Sequence, residues 1–205
     1  STGDPAYLTT ELDILDALET DLVSISTKHS ELLKKIYESG VYYTPSEWSN
    51  HINTTDIDNG FTLVQGSAVG YGLAAAGSIG ESRFAAFGFN IAVSLGNGDQ
   101  EGYAIPFQKL ISWMVTEDTT TSPENLEVAF SALGWDESAT LSYFEEKQPT
   151  WSRNVCPSND TECFTGKDLI ILGASSGDVA EIEAVMDQAL DTGVPILGIF
   201  QENER

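Results

Sequence analysis

The chain has 205 residues, 41% hydrophobic and 20% charged, enough for one large domain or two small ones with a sizeable core. Its 32 acidic side chains against 9 basic ones give a formal charge of -23, dispersed along the chain, a field that excludes nucleic acid or an anionic membrane surface as a natural partner. No apolar run reaches the ~18 residues that span a bilayer, so no membrane insertion by this segment is expected.

In chain order, residues 1–5 read as a flexible lead, with no methionine and no signal peptide, as in a mature or cloned fragment. Leu8, Leu12, Leu15 and Leu18 form one apolar stripe. A second helix is predicted over 26–38, with Leu32, Leu33 and Ile36 inward and Gly40 as its stop. Residues 1–58 therefore read as a small helical N-terminal segment and an aromatic loop, ahead of an α/β domain over 59–205. In that loop Tyr42, Tyr43 and Trp48 suit either a binding surface or, more often, satellite core.

Residues 61–64 form the first clear strand. The stretch QGSAVGYGLAAAGSIG reads as a close-packed turn and helix. Gly70 and Gly72 could open a dinucleotide fingerprint, but Ala75 replaces the third glycine and no acidic residue follows at the needed distance. Residues 83–90 and 91–95 read as a strand and its neighbour, and 95–102 as a turn cluster. Asn97, Asp99, Glu101 and Gly102 match part of a calcium loop, yet Gln108 stands where its bidentate glutamate belongs.

Helices are predicted over 105–115, with Phe107, Leu110, Ile111 and Met114 on one face, and over 122–133, with Leu126, Ala129, Phe130 and Leu133 inward. Residues 140–144 read as a strand and 145–166 as an irregular excursion. That excursion holds Cys156 and Cys163, bracketing a polar loop in which a local disulfide closes easily. Zinc is the poorer reading, since His29 and His51 lack ligand spacing. No metal and no cofactor is expected.

Residues 167–201 are the clearest unit. The apolar run 168–172 reads as a buried strand, and Asp178 with Glu181 has capping-box spacing. Val179, Ile182, Val185, Met186, Ala189 and Leu190 recur at helical spacing, Gly193 stops the helix, and 194–200 is a second strand. The turn of this β-α-β unit, Gly173-Ala174-Ser175-Ser176-Gly177, matches G-x-S-x-G in the strand-to-helix context that a nucleophile elbow needs. A serine hydrolase at Ser175 also needs a histidine after the serine, and both histidines lie far upstream. The same loop could hold an anion through Ser175, Ser176 and Gly177, resembling the S-x-S-G loop of phosphosugar-binding, sugar-isomerase-like domains. Asp178 and Glu181 would oppose that anion.

Three stretches in order, SRFAAFGFNIAVSL, AIPFQKLISWMV and GKDLIILGASSGDVAEIEAVMDQALDTGVPILGIF, carry a family resemblance. They resemble the N-terminal, non-peptidase region of secreted bacterial mucin-targeting metalloproteases, the enhancin-like zinc peptidases that include accessory colonisation factors. The resemblance runs over about residues 60–200 and includes Trp113 and the strand from Gly193 to Leu197. It implies an α/β fold with a mostly parallel open sheet, flavodoxin- or amidotransferase-like, flanked by helices. The family's H-E-x-x-H is absent here, so no catalytic residue carries over. The expectation is a non-catalytic accessory domain of a longer secreted or cell-surface bacterial protein. Its partners would be host glycan or glycoprotein, or other domains of its parent. A last strand so near Arg205 favours a cut through a larger domain.

Overall fold

A computed structural model describes residues 27–37, 59–65, 72–96, 101–120, 123–131, 133–134, 137–157, 160–173 and 190–200, with positions 52, 54, 183, 186 and 187. Within these residues the chain forms one mixed sheet of seven strands. The strands are β1 (Gly60–Gln65), β2 (Gly72–Ile79), β3 (Ser82–Phe87), β4 (Glu127–Ser131), β5 (Ser152–Val155), β6 (Leu169–Gly173) and β7 (Ile196–Ile199). Their spatial order is β1-β2-β3-β7-β6-β4-β5. From β3 to β5 every pairing is parallel, and β1 and β2 add an antiparallel edge. The parallel part thus has the expected character, with the two edge strands beyond it.

The central strands are buried on both faces, and their apolar runs divide by parity. Leu169 and Ile171 of β6 enter one core with Val128, Phe130, Leu197 and Ile199. Ile170 and Leu172 enter a second core with Ala129 and Ile196. The first core is covered by four helices: α1 over 27–36, α2 (Ile91–Gly96), α3 (Glu101–Thr116) and α4 (Glu137–Lys147). Ile36 of α1 is fully buried there, so this helix shares the core of the sheet. The second core is covered by the 3-10 turn Thr161–Phe164 and by Met186 and Leu190. Each fully buried phenylalanine, such as Phe87 or Phe130, contributes about 1.5–3 kcal/mol by leaving water.

Several expectations are corrected. The predicted helix over 122–133 contains strand β4, because burial on both faces places Val128, Ala129 and Phe130 all inside and imitates helical spacing. The predicted strand over 140–144 is part of helix α4, whose Thr140, Tyr143 and Phe144 are buried at i, i+3, i+4 spacing. The alanine-rich stretch is strand β2, where the small side chains of Ala74 to Ala76 lie buried between β1 and β3. Residues 91–95 belong to helix α2, begun by Asn90, whose side-chain oxygen accepts from the Val93 amide at 3.1 Å. The supposedly irregular 145–166 contains β5 and the 3-10 turn.

Gly193 has φ of +69°, the left-handed stop read from the sequence, and β6 and β7 pair in parallel as a β-α-β unit requires. Cys156 and Cys163 are joined by a disulfide that ties the end of β5 to the 3-10 turn. No helix among the described residues is long and apolar enough to cross a membrane.

Candidate functional site

The site lies beside the β2–β3 hairpin. Gly80, at φ of +60°, makes the tight turn, and the Ser82 hydroxyl anchors β3 by donating to the Val194 carbonyl at 2.8 Å. Gly77 lets the neighbouring chain come close, since a Cβ there would stand 2.1 Å from the Asn59 carbonyl oxygen. Residues of α1 and of the C-terminal end of α3 line a groove together with this hairpin.

Arg83 of β3 holds α3 in place. Its Nε donates to the Met114 carbonyl at 2.6 Å and its Nη2 to the Val115 carbonyl at 3.4 Å. Its Nη1 pairs with the Glu117 carboxylate. Glu117 itself takes φ of +64°, the left-handed conformation that ends the helix. Asp118 then turns the chain by accepting from the Thr120 amide at 3.0 Å and the Thr120 hydroxyl at 2.6 Å. Those bonds, the hydroxyl foremost, hold the Asp118 carboxyl below its usual range, and Lys35 adds to the effect.

The floor is aromatic. His29 of α1 lies over Phe61 of β1 with ring centroids 4.8 Å apart, and Phe61 meets Trp113 edge-on at 6.2 Å. Burial, with Lys28 beside it, lowers the His29 pKa, so the neutral ring is favoured. Together these elements enclose an open groove of about 1040 Å³. Lys28, Lys35 and Arg83, three of the chain's nine basic residues, line it with Glu31, Glu81, Glu117 and Asp118. The local charge is therefore nearly balanced in a chain of -23. A partly exposed indole, ammonium donors and carboxylate acceptors suit a polar, uncharged ligand with an apolar face.

The sequence-predicted loop residues Ser175, Ser176 and Gly177 lie outside the described residues, as do His51, Tyr42, Tyr43 and Trp48. His29 is the histidine that lies among the described residues. Phe61, on which His29 packs, is level with Ile171 but four strands from β6, roughly 19 Å at ordinary strand spacing. Among the described residues no group of His, Cys, Asp or Glu is placed to hold a metal ion. Sequence reasoning missed the groove, although Lys28 and Lys35 lie seven residues apart on one helix in a base-poor chain.

Residues 32–204 match the family described as the immunomodulating metalloprotease N-terminal domain. The chain belongs to that family. No protein of curated function matches the sequence. Solved structures of the IMPa metallopeptidase from Pseudomonas aeruginosa share the fold. One matches with a TM-score of 0.73 at 23% identity, over 92% of this chain and 21% of that one. The same enzyme in complex with an O-glycopeptide matches with a TM-score of 0.72 at 23% identity, over 89% and 20%. Its complex with T-antigen matches with a TM-score of 0.69 at 22% identity, over 92% and 21%. The chain thus spans about a fifth of the length of these relatives. Membership bears out the resemblance read from the sequence, and neither the phosphosugar nor the hydrolase alternative is favoured by it.

Proposed function

We propose that this chain is a non-catalytic accessory domain of a larger secreted or cell-surface bacterial metalloprotease, and that it engages host glycan or glycoprotein. The match to a metalloprotease N-terminal domain over residues 32–204 carries the reading. Two further facts support it. The sequence contains no H-E-x-x-H with which to hold a catalytic zinc. The relatives of the same fold were solved with an O-glycopeptide and with T-antigen, so glycosylated ligands are the natural class to test. The groove beside the hairpin offers the mixed apolar and polar lining that such ligands need. In the parent protein the domain would hold the substrate glycoprotein near a peptidase domain and raise its local concentration there.

The test is binding without turnover. Immobilised mucin O-glycoprotein is exposed to the 205-residue chain, and the same glycoprotein is incubated with it and resolved by electrophoresis. Saturable binding with the glycoprotein left intact is expected. Absence of binding, or cleavage of the glycoprotein by this chain, overturns the reading.

A further inference from the structure

We infer that the groove between α1 and the end of α3 is a sugar subsite that seats one uncharged pyranose on Trp113. This rests on the glycan-binding reading above and adds the place and the charge of the sugar. The two tryptophans among the described residues make the contrast. Trp151 is core: it is buried, stacks on Phe144 at 5.7 Å, and its indole N–H donates to the Pro123 carbonyl at 3.0 Å. Trp113 is half-buried, lines the groove, and among the described residues its indole N–H has no acceptor. An indole with an apolar face and an unused donor matches a pyranose, which has a C–H face and a rim of hydroxyls.

The charges around it separate into two sets. Arg83 is committed to the α3 carbonyls and to Glu117, and Asp118 to Thr120. Lys28 and Lys35 lie on one face of α1, two turns or roughly 10 Å apart. Among the described residues neither ammonium is within ion-pair distance of a carboxylate, and neither Glu31 nor Glu81 has a hydrogen-bond partner. Among the described residues the groove thus presents two ammonium groups and two carboxylates with no hydrogen-bond or ion-pair partner, donors and acceptors in equal number, with Lys35 also close enough to Asp118 to act on its charge. That set binds hydroxyls from both sides and gives an acidic sugar no net attraction, while the chain's charge of -23 repels it. The volume, about 1040 Å³, admits a disaccharide.

The indole N–H resonances of the intact 205-residue chain report the site directly. Titration with serine-linked galactosyl-N-acetylgalactosamine is expected to shift the Trp113 signal and leave Trp151 in place. Trp113→Ala is expected to weaken binding about tenfold. Trp113→Phe keeps a ring but removes the donor, and Lys28→Gln with Lys35→Gln alters only exposed groups, so both remain informative if the alanine variant misfolds. Each is expected to weaken binding by about threefold or more. The sialylated form of the same glycan is expected to bind several-fold more weakly. Glycoprotein binding that persists unchanged in all three variants overturns the subsite and leaves the accessory reading standing. Sialylated glycan bound as tightly as the neutral one overturns the preference for an uncharged sugar. Failure of the unaltered chain to bind mucin at all overturns the accessory reading, and the subsite with it.

Discussion

The Nε of Arg83 donates to the Met114 carbonyl at 2.6 Å, so a residue of β3 closes the end of α3. The last carbonyls of a helix lack partners within it, and their combined dipole favours a cation there. Only the planar guanidinium reaches Met114, Val115 and Glu117 together. Arg83→Ala is expected to lower stability by about 2 kcal/mol, with Arg83→Lys restoring less than half of it. The Glu117 side is exposed, so Glu117→Gln should cost less than about 1 kcal/mol. Urea denaturation measures all three, and an Arg83→Ala midpoint equal to that of the unaltered chain would show that water caps the helix as well as arginine does.

Gly77 fixes how closely β1 can approach β2 beneath the groove. A Cβ added there would stand 2.1 Å from the Asn59 oxygen and 2.8 Å from the Gly60 Cα, both backbone atoms that cannot rotate away. Gly77→Ala is therefore expected to cost ~2 kcal/mol or more, roughly 4–8 °C in thermal midpoint. Gly80 is the control, because its φ of +60° is strained for other residues yet no atom lies within 4 Å of an added Cβ. Gly80→Ala should cost about 1 kcal/mol, and Gly80→Asn less. If Gly77→Ala melts no lower than Gly80→Ala, the close approach is not what glycine provides at 77.

How much of this could be read in advance depended on how local each feature is. The apolar runs 168–172 and 194–200 and the stop at Gly193 are local grammar, and they fold as the strands Leu169–Gly173 and Ile196–Ile199 with Gly193 in the left-handed conformation. Residues 122–133 are not, because Leu126, Ala129, Phe130 and Leu133 keep helical spacing while the strand buries both its faces in two different cores. Helix α4 misleads in the opposite sense, since Tyr143 and Phe144 resemble a short aromatic strand until Thr140 is seen to share their buried face. The groove was invisible for a further reason. Lys28, Phe61, Arg83 and Trp113 come from four elements far apart in the chain, and no local pattern joins them before the sheet does.

The disulfide between Cys156 and Cys163 holds the 3-10 turn whose Phe164 fills the second core. Its sequence separation is 7, a short loop that constrains the unfolded chain by about 2 kcal/mol in the chain-entropy account. Replacing both cysteines by serine, or adding reductant, is expected to lower the thermal midpoint by roughly 4–8 °C. Differential scanning calorimetry with and without reductant measures it. A serine pair that melts with the unaltered chain would mean that Phe164 and its neighbours hold the turn without the crosslink.

Tyr143 gives the fold an alkaline limit. It is buried among Phe107 and Phe144, and burial raises its phenol to about 12. An unfolded tyrosine ionises near 10, so between about pH 10 and 12 the unfolded chain releases this proton and the folded chain keeps it. The contribution is therefore complete below about pH 10 and lost as pH rises through the folded value, at most about 2–3 kcal/mol. Tyr143→Phe removes the ionisable group and should flatten this part of the stability curve while keeping the packing. Urea midpoints at pH 9, 10 and 11 compare the two chains, with pH 9 as the reference below both ionisations. Parallel curves over that range would show that other groups, and not Tyr143, set the alkaline limit.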